Sequence, residues 1–190
     1  MRTLFTVVVC WFSLTVSGQN QPLSEAAMEL TKDDVVYDPS YFSIPYPNGD
    51  VPSGKGVCTD VVIRALRKLG IDLQQLVHED MKANFSLYPK NWGLKSTDNN
   101  IDHRRVPNLR KFFERKGVSL PVTQNAEDYL SGDIVTWNLG GGITHIGIVV
   151  DEKTMFLKTP LIVHNIGAGQ VMEDCLFKFD ITGHYRYPKP

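Results

Sequence analysis

The chain has 190 residues, with 20 basic and 21 acidic side chains and a formal net charge of −1. This balance gives no field that would attract nucleic acid or an anionic membrane surface, so we expect no nucleic-acid partner. Hydrophobic residues make up 42% of the chain, which is enough for one domain to bury its own core.

The N-terminus has the pattern of a secretory signal peptide. Arg2 supplies a positive start, an apolar run covers residues 4–16, and Val16-Ser17-Gly18 offers small residues at a cleavage site. The run is shorter than the roughly 20 residues of a membrane span, although an uncleaved anchor is the alternative. We predict a signal peptide over residues 1–18 and a single domain over residues 19–190. The protein is therefore expected to be secreted or periplasmic, with no stable membrane span after cleavage.

Helices are predicted in the first two thirds of the chain, over residues 24–32, 58–69, 72–85 and 107–116. Ser24 and Asp72 are expected to cap the first and third helices through their side-chain oxygens. The second helix has the strongest pattern, because apolar residues recur at three- and four-residue spacing from Cys58 until Gly70 ends the run. Between the first two helices, residues 37–52 hold four of the eleven prolines and should be extended.

Strands are predicted in the last third, over residues 134–137, 145–150 and 161–164, with one or two more in residues 177–187. Helices followed by an antiparallel meander define an α+β domain.

Cys58 is the candidate nucleophile. It begins the second helix directly after the Gly54-Lys55-Gly56 hinge. A helix N-terminus carries partial positive charge, which is expected to favour the thiolate over the thiol. The backbone N–H of Cys58 or Thr59 would form half of an oxyanion hole.

His145 and His164 are the candidate partners of this thiol. His145 opens an apolar strand, and Gly147 leaves room for a close neighbour. If the strands that contain His145 and His164 pair as a hairpin, the two imidazoles lie side by side. His145 would then be the general base, and His164 or the adjacent Asn165 would hold its ring in the useful tautomer.

Other roles are open for the same residues. Cys58 and Cys175 are the cysteines that remain after signal cleavage, and in an oxidising compartment they are candidates for a disulfide. One cysteine and two histidines also match a zinc site in type, but no closely spaced ligand pair is present to begin one. We expect no metal and no other cofactor.

Several sequence strings carry a family resemblance. A cysteine at a helix start, a strand beginning His-Ile-Gly-Ile and a polar residue on the next strand resemble the NlpC-type cell-wall peptidases. The strings Gly-Val-Cys-Thr-Asp-Val-Val-Ile-Arg-Ala, Asp-His-Arg-Arg-Val-Pro-Asn-Leu, Gly-Asp-Ile-Val, His-Ile-Gly-Ile-Val and Val-His-Asn-Ile-Gly resemble a bacterial family called domain of unknown function 1287. The second resemblance covers roughly residues 35–187.

The NlpC resemblance implies a reduced papain-like fold, in which N-terminal helices, including the cysteine helix, pack on a small antiparallel sheet. It also implies Cys58 as nucleophile, His145 as base and His164 as third polar member, cleaving an amide bond in peptidoglycan stem peptides through an acyl-enzyme. The chain departs from that pattern around the cysteine. NlpC-type enzymes usually have Asp before the cysteine and Ser-Gly after it, whereas here Val57 precedes and Thr59-Asp60 follows.

The substrate-binding candidates are Asp60, Thr59, Asn165, Arg104 and Arg105. Asp60 is placed either to hold a substrate amine or to stabilise the first turn of its helix. Arg104 and Arg105 form a pair suited to a carboxylate, or they lie at a solvated helix entry.

The expected partner is peptidoglycan or a peptide substrate, and the sequence carries no signal for an oligomeric state. Two alternative functions remain open at this point. One is an acyltransferase or thioesterase with the same Cys-His-His site. The other is a non-enzymatic envelope-binding module with a Cys58–Cys175 disulfide.

Overall fold

The computed structural model describes residues 20–189, so the predicted signal peptide, residues 1–18, lies outside the described residues. The helices are α1 (Gln21–Leu30), α2 (Cys58–Lys68), α3 (Leu73–Ala83) and α4 (Val106–Lys116). The strands are β1 (Val36–Tyr37), β2 (Lys55–Gly56), β3 (Val118–Ser119), β4 (Ile134–Asn138), β5 (Thr144–Lys153), β6 (Pro160–His164), β7 (Val171–Glu173) and β8 (Asp180–Arg186). Helices therefore precede most of the sheet, and the predicted α+β class is confirmed.

Six of the strands form one antiparallel sheet in the order β3-β8-β4-β5-β6-β7. Strands β4 to β7 follow one another as a meander, and β8 returns to pair with β4. The hairpin predicted for the two histidine-bearing strands is the β5–β6 pair, in which Ile148 lies opposite Val163. The short strands β1 and β2 pair in parallel and bring residues 36–37 beside the entry to α2.

The first helix begins earlier than predicted, and Ser24 is not its cap. Helix α1 begins at Gln21 with a proline in its first turn, where the fixed φ of proline suits a helix start. Ser24 is buried inside the helix, and its hydroxyl oxygen accepts a hydrogen bond of 3.1 Å from the backbone N–H of Asp151. The other predicted cap is confirmed, since the Asp72 side chain accepts from the backbone N–H of Gln75 at 3.1 Å.

Helix α2 packs its apolar face on the sheet. The larger core contains Val61, Val62, Ala65 and Leu66 of this helix, together with residues of α1, α4 and the sheet. Alternating residues of a strand point to opposite faces, so Ile146 and the other even-numbered apolar residues of β5 point toward the helices.

The opposite face of the sheet carries a smaller core. Its buried members are Tyr129, Val135, Trp137, Val149, Ile162, Cys175 and Leu176. The indole N–H of Trp137 donates to the backbone oxygen of Leu176 at 2.9 Å, which fixes the segment after β7 to this face. No helix among residues 20–189 has the length and apolar character needed to cross a bilayer.

Candidate active site

Cys58 lies at the first position of α2, at the wall of a small cavity. The residue is 6% exposed. The cavity has a volume of about 200 Å³ and is lined by Tyr37, Pro39, Val57, Cys58, Thr59, Trp92, Ile101, Arg104, Arg105, Val106, Pro107 and Thr144. The N-termini of α2 and α4 and the start of β5 all meet at this cavity, and Cys58 forms part of its wall.

The sequence-based expectation of a stabilised thiolate at Cys58 is wrong for this structure. Burial raises the pKa of the Cys58 thiol to about 12, although the backbone N–H groups of Ile146, Thr59 and Cys58 itself act in the opposite direction. The neighbouring carboxylate of Asp60 raises this pKa further. Desolvation thus exceeds the helix-terminus effect, and the resting group at neutral pH is a thiol.

The two candidate histidines are in direct contact. His145 Nε2 and His164 Nδ1 lie 2.9 Å apart, and the rings meet edge to face at 82°. Both are buried, and burial followed by the charge of His164 lowers the pKa of His145 to about 3. The hairpin prediction placed these imidazoles side by side, and the structure confirms that geometry.

Gly147 makes this contact possible. A Cβ at this position would lie 2.6 Å from Ile162 Cγ2 and 3.1 Å from His164 Cβ. The space that the sequence left open beside Gly147 is therefore filled by β6, which brings His164 across to His145.

Glu173 and Cys175 lie at the Nε2 atom of His164, on the side of the ring away from His145. This Nε2 atom is 3.3 Å from Glu173 Oε2 and 3.5 Å from Cys175 Sγ. Burial lowers the pKa of His164, and the nearby Glu173 carboxylate acts against that shift. His164 is thus a bridge between His145 and Glu173, and it is His164, not Asn165, that contacts the ring of His145.

Cys58 meets β5 beside His145. Thr144, the residue before His145, lines the same cavity as Cys58, and the N–H of Ile146, the residue after it, acts on the thiol. Among the described residues, the hydrogen bond of the His145 ring goes to His164 and none goes to Cys58. The Nδ1 atom of His145 is therefore free of protein partners in this resting arrangement.

Asp60 does not face the cavity, so its predicted contact with a substrate amine is wrong. It is 2% exposed, and its carboxylate accepts from the N–H of Val57 at 2.7 Å. The same carboxylate receives two hydrogen bonds of 3.0 Å from the Arg104 guanidinium. Asp60 and Arg104 therefore form a buried ion pair that fixes the start of α2, and Arg104 is not available for a substrate carboxylate.

Arg105 remains open to the cavity. It forms no ion pair among the described residues, and its Nη1 atom is buried without a hydrogen-bond partner. The guanidinium carbon lies 4.0 Å from the ring centroid of Trp92, a residue that is 64% exposed. The two adjacent arginines therefore have different environments.

Thr59 and Asn165 support the site through hydrogen bonds to the backbone, and Thr59 also lines the cavity. The Thr59 hydroxyl donates to the backbone oxygen of Arg104 at 3.3 Å. The Asn165 amide donates to the oxygen of Gly56 at 3.4 Å, and its side-chain oxygen accepts from Gly167 at 3.1 Å. Asn165 thus ties the end of β6 to the glycine before the cysteine turn, and its side chain is buried away from the cavity surface.

The disulfide that the sequence left open as an alternative is not formed. Cys58 and Cys175 are both free thiols. Cys58 belongs to the larger core beneath the helices, and Cys175 belongs to the smaller core on the other face of the sheet. Within residues 20–189, no set of three or more His, Cys, Asp or Glu side chains is arranged to hold a metal ion.

Glu173 enters the site although the sequence did not indicate it, and Tyr37 and Trp92 line the cavity. Glu173 stands on a strand of three residues, which is too short to show an alternating pattern. Tyr37 and Trp92 come from irregular or very short segments that reach the cavity through the tertiary fold. The Glu-x-Cys spacing of Glu173 and Cys175 is the one local signal, because it places both near the same face.

Fold and site together define an α+β domain with a buried cysteine at a helix start and a histidine pair on the adjoining hairpin. A family model described as domain of unknown function (DUF1287) matches residues 24–187, and the chain belongs to this family. It is also 51% identical over 173 residues to the uncharacterized protein YijF of Escherichia coli (strain K12), a match that covers 90% of this chain and 83% of the relative.

Proposed function

We propose that the chain is a cysteine hydrolase of papain-like arrangement that cleaves an amide bond. One observation carries the proposal: the Cys58 thiol lies in a cavity at a helix N-terminus, beside the strand that presents the His145–His164 pair. A nucleophile, a base and a group that orients the base are the three parts that covalent catalysis needs. The helix-on-sheet packing around Cys58 is consistent with the fold that the NlpC resemblance implies.

In the proposed mechanism the resting pair is neutral. The high pKa of Cys58 and the low pKa of His145 both favour thiol and imidazole over the ion pair. Substrate binding brings the carbonyl carbon to Sγ, and the S–H proton moves to Nδ1 of His145 as the S–C bond forms. Because the two groups share no hydrogen bond in the resting structure, this transfer requires a bridging water or a shift of the His145 ring. His164 and Glu173 stabilise the imidazolium that results.

The remaining steps use the same groups in reverse. The backbone N–H of Cys58 or Thr59 supplies half of the oxyanion hole that stabilises the tetrahedral intermediate. The imidazolium returns its proton to the leaving amine as the C–N bond breaks, which leaves a thioester on Cys58. Water, deprotonated by His145, then hydrolyses the thioester and regenerates the thiol.

The proposed substrate is a stem peptide of peptidoglycan, and the proposed location is the periplasm or the exterior. This assignment rests on the NlpC resemblance and on the signal-peptide pattern. It is the finer part of the proposal, and its test is separate from that of the thiol chemistry.

The experiment uses purified residues 19–190 with soluble peptidoglycan fragments, and products are identified by mass spectrometry. We expect new amine and carboxylate termini with the parent protein and none with Cys58→Ala, while Cys175→Ala is the matched control and remains active. Addition of a competing amine separates hydrolysis from acyl transfer, and a panel of thioesters separates amidase from thioesterase activity. Retained activity of Cys58→Ala would overturn the proposal.

A further inference from the structure

We infer that the Cys58 cavity binds a carboxylate of its ligand through Arg105, and that the ligand is a short peptide with a free carboxylate. The inference rests on the proposed function for the identity of the ligand as substrate. The carboxylate site itself follows from charge and burial, and it is tested by binding alone.

The cavity has an excess of positive charge. Its lining contains Arg104 and Arg105 and no Asp or Glu. Arg104 is neutralised by Asp60, with both side chains 2% exposed. The charge that remains for a ligand is that of Arg105.

Arg105 is partly desolvated and has hydrogen-bonding capacity to spare. Its Nη1 atom is buried and unpaired, and a buried donor without a partner costs free energy. Its Nε and Nη2 atoms form no hydrogen bond with the described residues either and are not buried in this way, so they are the donors that a ligand can reach. The face of the guanidinium is covered by the Trp92 ring at 4.0 Å, which holds the planar group by stacking. An arginine held in this way is suited to bind a carboxylate through two parallel N–H bonds.

The backbone adds to the positive electrostatic potential in the cavity. Val106 and Pro107, the first residues of the 11-residue helix α4, line the cavity next to Arg105. Cys58 and Thr59 bring the N-terminus of α2 to the other side. Two helix N-termini directed at one small space favour an anion over a cation, in agreement with the arginine.

The size of the cavity limits the ligand. A volume of about 200 Å³ is below the roughly 300–1,000 Å³ of ordinary small-molecule pockets. The enclosed part therefore holds the end of a peptide, not its middle. Because Arg105 and Cys58 share this space, the carboxylate lies within a residue or two of the bond that Cys58 would attack.

The test measures binding to the Cys58→Ala protein, so that no turnover occurs. The probes are the stereoisomers of N-acetyl-alanyl-alanine and their C-terminal amides, which differ only in the carboxylate, and affinities are measured by isothermal titration calorimetry. We expect at least one acid to bind ten-fold or more tightly than its amide. The additional substitution Arg105→Met should abolish this preference, and Arg105→Lys should restore part of it. Lys111→Met, on α4 but outside the cavity, should leave it unchanged.

The outcomes separate this inference from the proposed function. Equal affinity for acid and amide, no binding of either, or a preference that survives Arg105→Met in a folded protein would overturn the carboxylate site. Acid-selective binding, together with no cleavage of the peptidoglycan fragments by the parent protein, would support the carboxylate site and contradict the hydrolase. Circular dichroism of each variant establishes that the comparison is made on folded protein.

Discussion

His145 Nε2 and His164 Nδ1 are 2.9 Å apart, and the direction of the hydrogen bond between them determines whether His145 can act as a base. If the Glu173 carboxylate accepts the proton of His164 Nε2, then His164 Nδ1 must accept from His145 Nε2. His145 Nδ1 then carries its lone pair toward a proton donor. If Cys175 donates to His164 Nε2 instead, the order reverses and His145 Nδ1 is protonated.

Replacement of Glu173 by glutamine is predicted to lower kcat at least ten-fold, because the amide N–H₂ can donate to His164 and select the wrong tautomer. A ten-fold loss corresponds to about 1.4 kcal/mol of transition-state stabilisation. KM should change little, since Glu173 does not line the Cys58 cavity. Steady-state kinetics across pH on the cleaved fragment provide the measurement.

Cys175→Ala is the matched control, because it removes the competing donor and keeps the carboxylate. We expect its kcat to stay within about two-fold of the parent, far inside the ten-fold effect that marks a lost tautomer. An equal loss of kcat in Glu173→Gln and Cys175→Ala would mean that these two residues serve packing around His164 and do not select its tautomer.

Alkylation of Cys58 by iodoacetamide is predicted to be slow at pH 7 and to accelerate steadily above pH 9. The thiolate is the reactive species, and burial raises the pKa of this thiol to about 12. A free thiol has a pKa of about 8.5, so the same residue should react readily once the chain is unfolded in urea. Peptide mass spectrometry distinguishes Cys58 from Cys175, whose pKa burial also raises to about 12.

His145→Ala provides the second comparison for this thiol. With no thiol–imidazole hydrogen bond in the resting structure, the substitution should leave the alkylation profile of Cys58 in place. Rapid modification at neutral pH that disappears in His145→Ala would instead indicate a preformed thiolate–imidazolium pair.

The elements with a long apolar repeat were the ones that the sequence could predict. Helix α2 and the β5–β6 hairpin follow from periodicity, and that hairpin alone was sufficient to bring the two histidines together. Strands β3 and β7 have two and three residues and depend on pairing with distant strands, so their own residues carry no pattern. Glu173 was missed for this reason.

The chemistry of single side chains was less predictable because it depends on distant partners. Arg104 and Arg105 are neighbours, yet Asp60, which is 44 positions from Arg104, pairs with only the first of them. In the same way, the sequence shows that Cys58 begins a helix but not that the surrounding fold excludes water from its thiol. Local sequence therefore located the site, and tertiary burial set the protonation of its groups.

Arg104→Met is predicted to destabilise the protein strongly, and Arg105→Met is predicted to leave its stability almost unchanged. Removal of Arg104 leaves the buried Asp60 carboxylate without its bidentate partner, and breaking a buried pair from one side costs about 3–5 kcal/mol. Arg105 has no carboxylate partner, so its replacement should change the free energy of unfolding by less than about 1 kcal/mol. Urea denaturation of both variants measures the difference, and a comparable loss in the two would show that Arg105 is also structural.

Stability is predicted to fall as the pH drops from 6.5 to 5, before the carboxylates titrate. Burial lowers the pKa of His103 and of His145 to about 3, whereas an unfolded histidine has a pKa of about 6.5. Between these values the unfolded chain binds more protons, so the free energy of unfolding decreases with falling pH by up to about 1.4 kcal/mol per pH unit for each such histidine.

The substitution His103→Phe should reduce the slope of the free energy of unfolding with pH by the contribution of one histidine. His103 is suited to this test because it is buried with Nδ1 unpaired and lies outside the Cys58 cavity. Asp80 provides a contrast, since the Arg115 guanidinium holds the pKa of its carboxyl well below the usual range. The stabilisation that the Asp80–Arg115 ion pair gives to the folded protein is lost only as the pH falls below the unfolded aspartate pKa of about 3.9. Urea titrations of the parent and His103→Phe at pH 7, 6 and 5 isolate the histidine effect, and parallel curves for the two proteins would show that folding does not shift the pKa of His103.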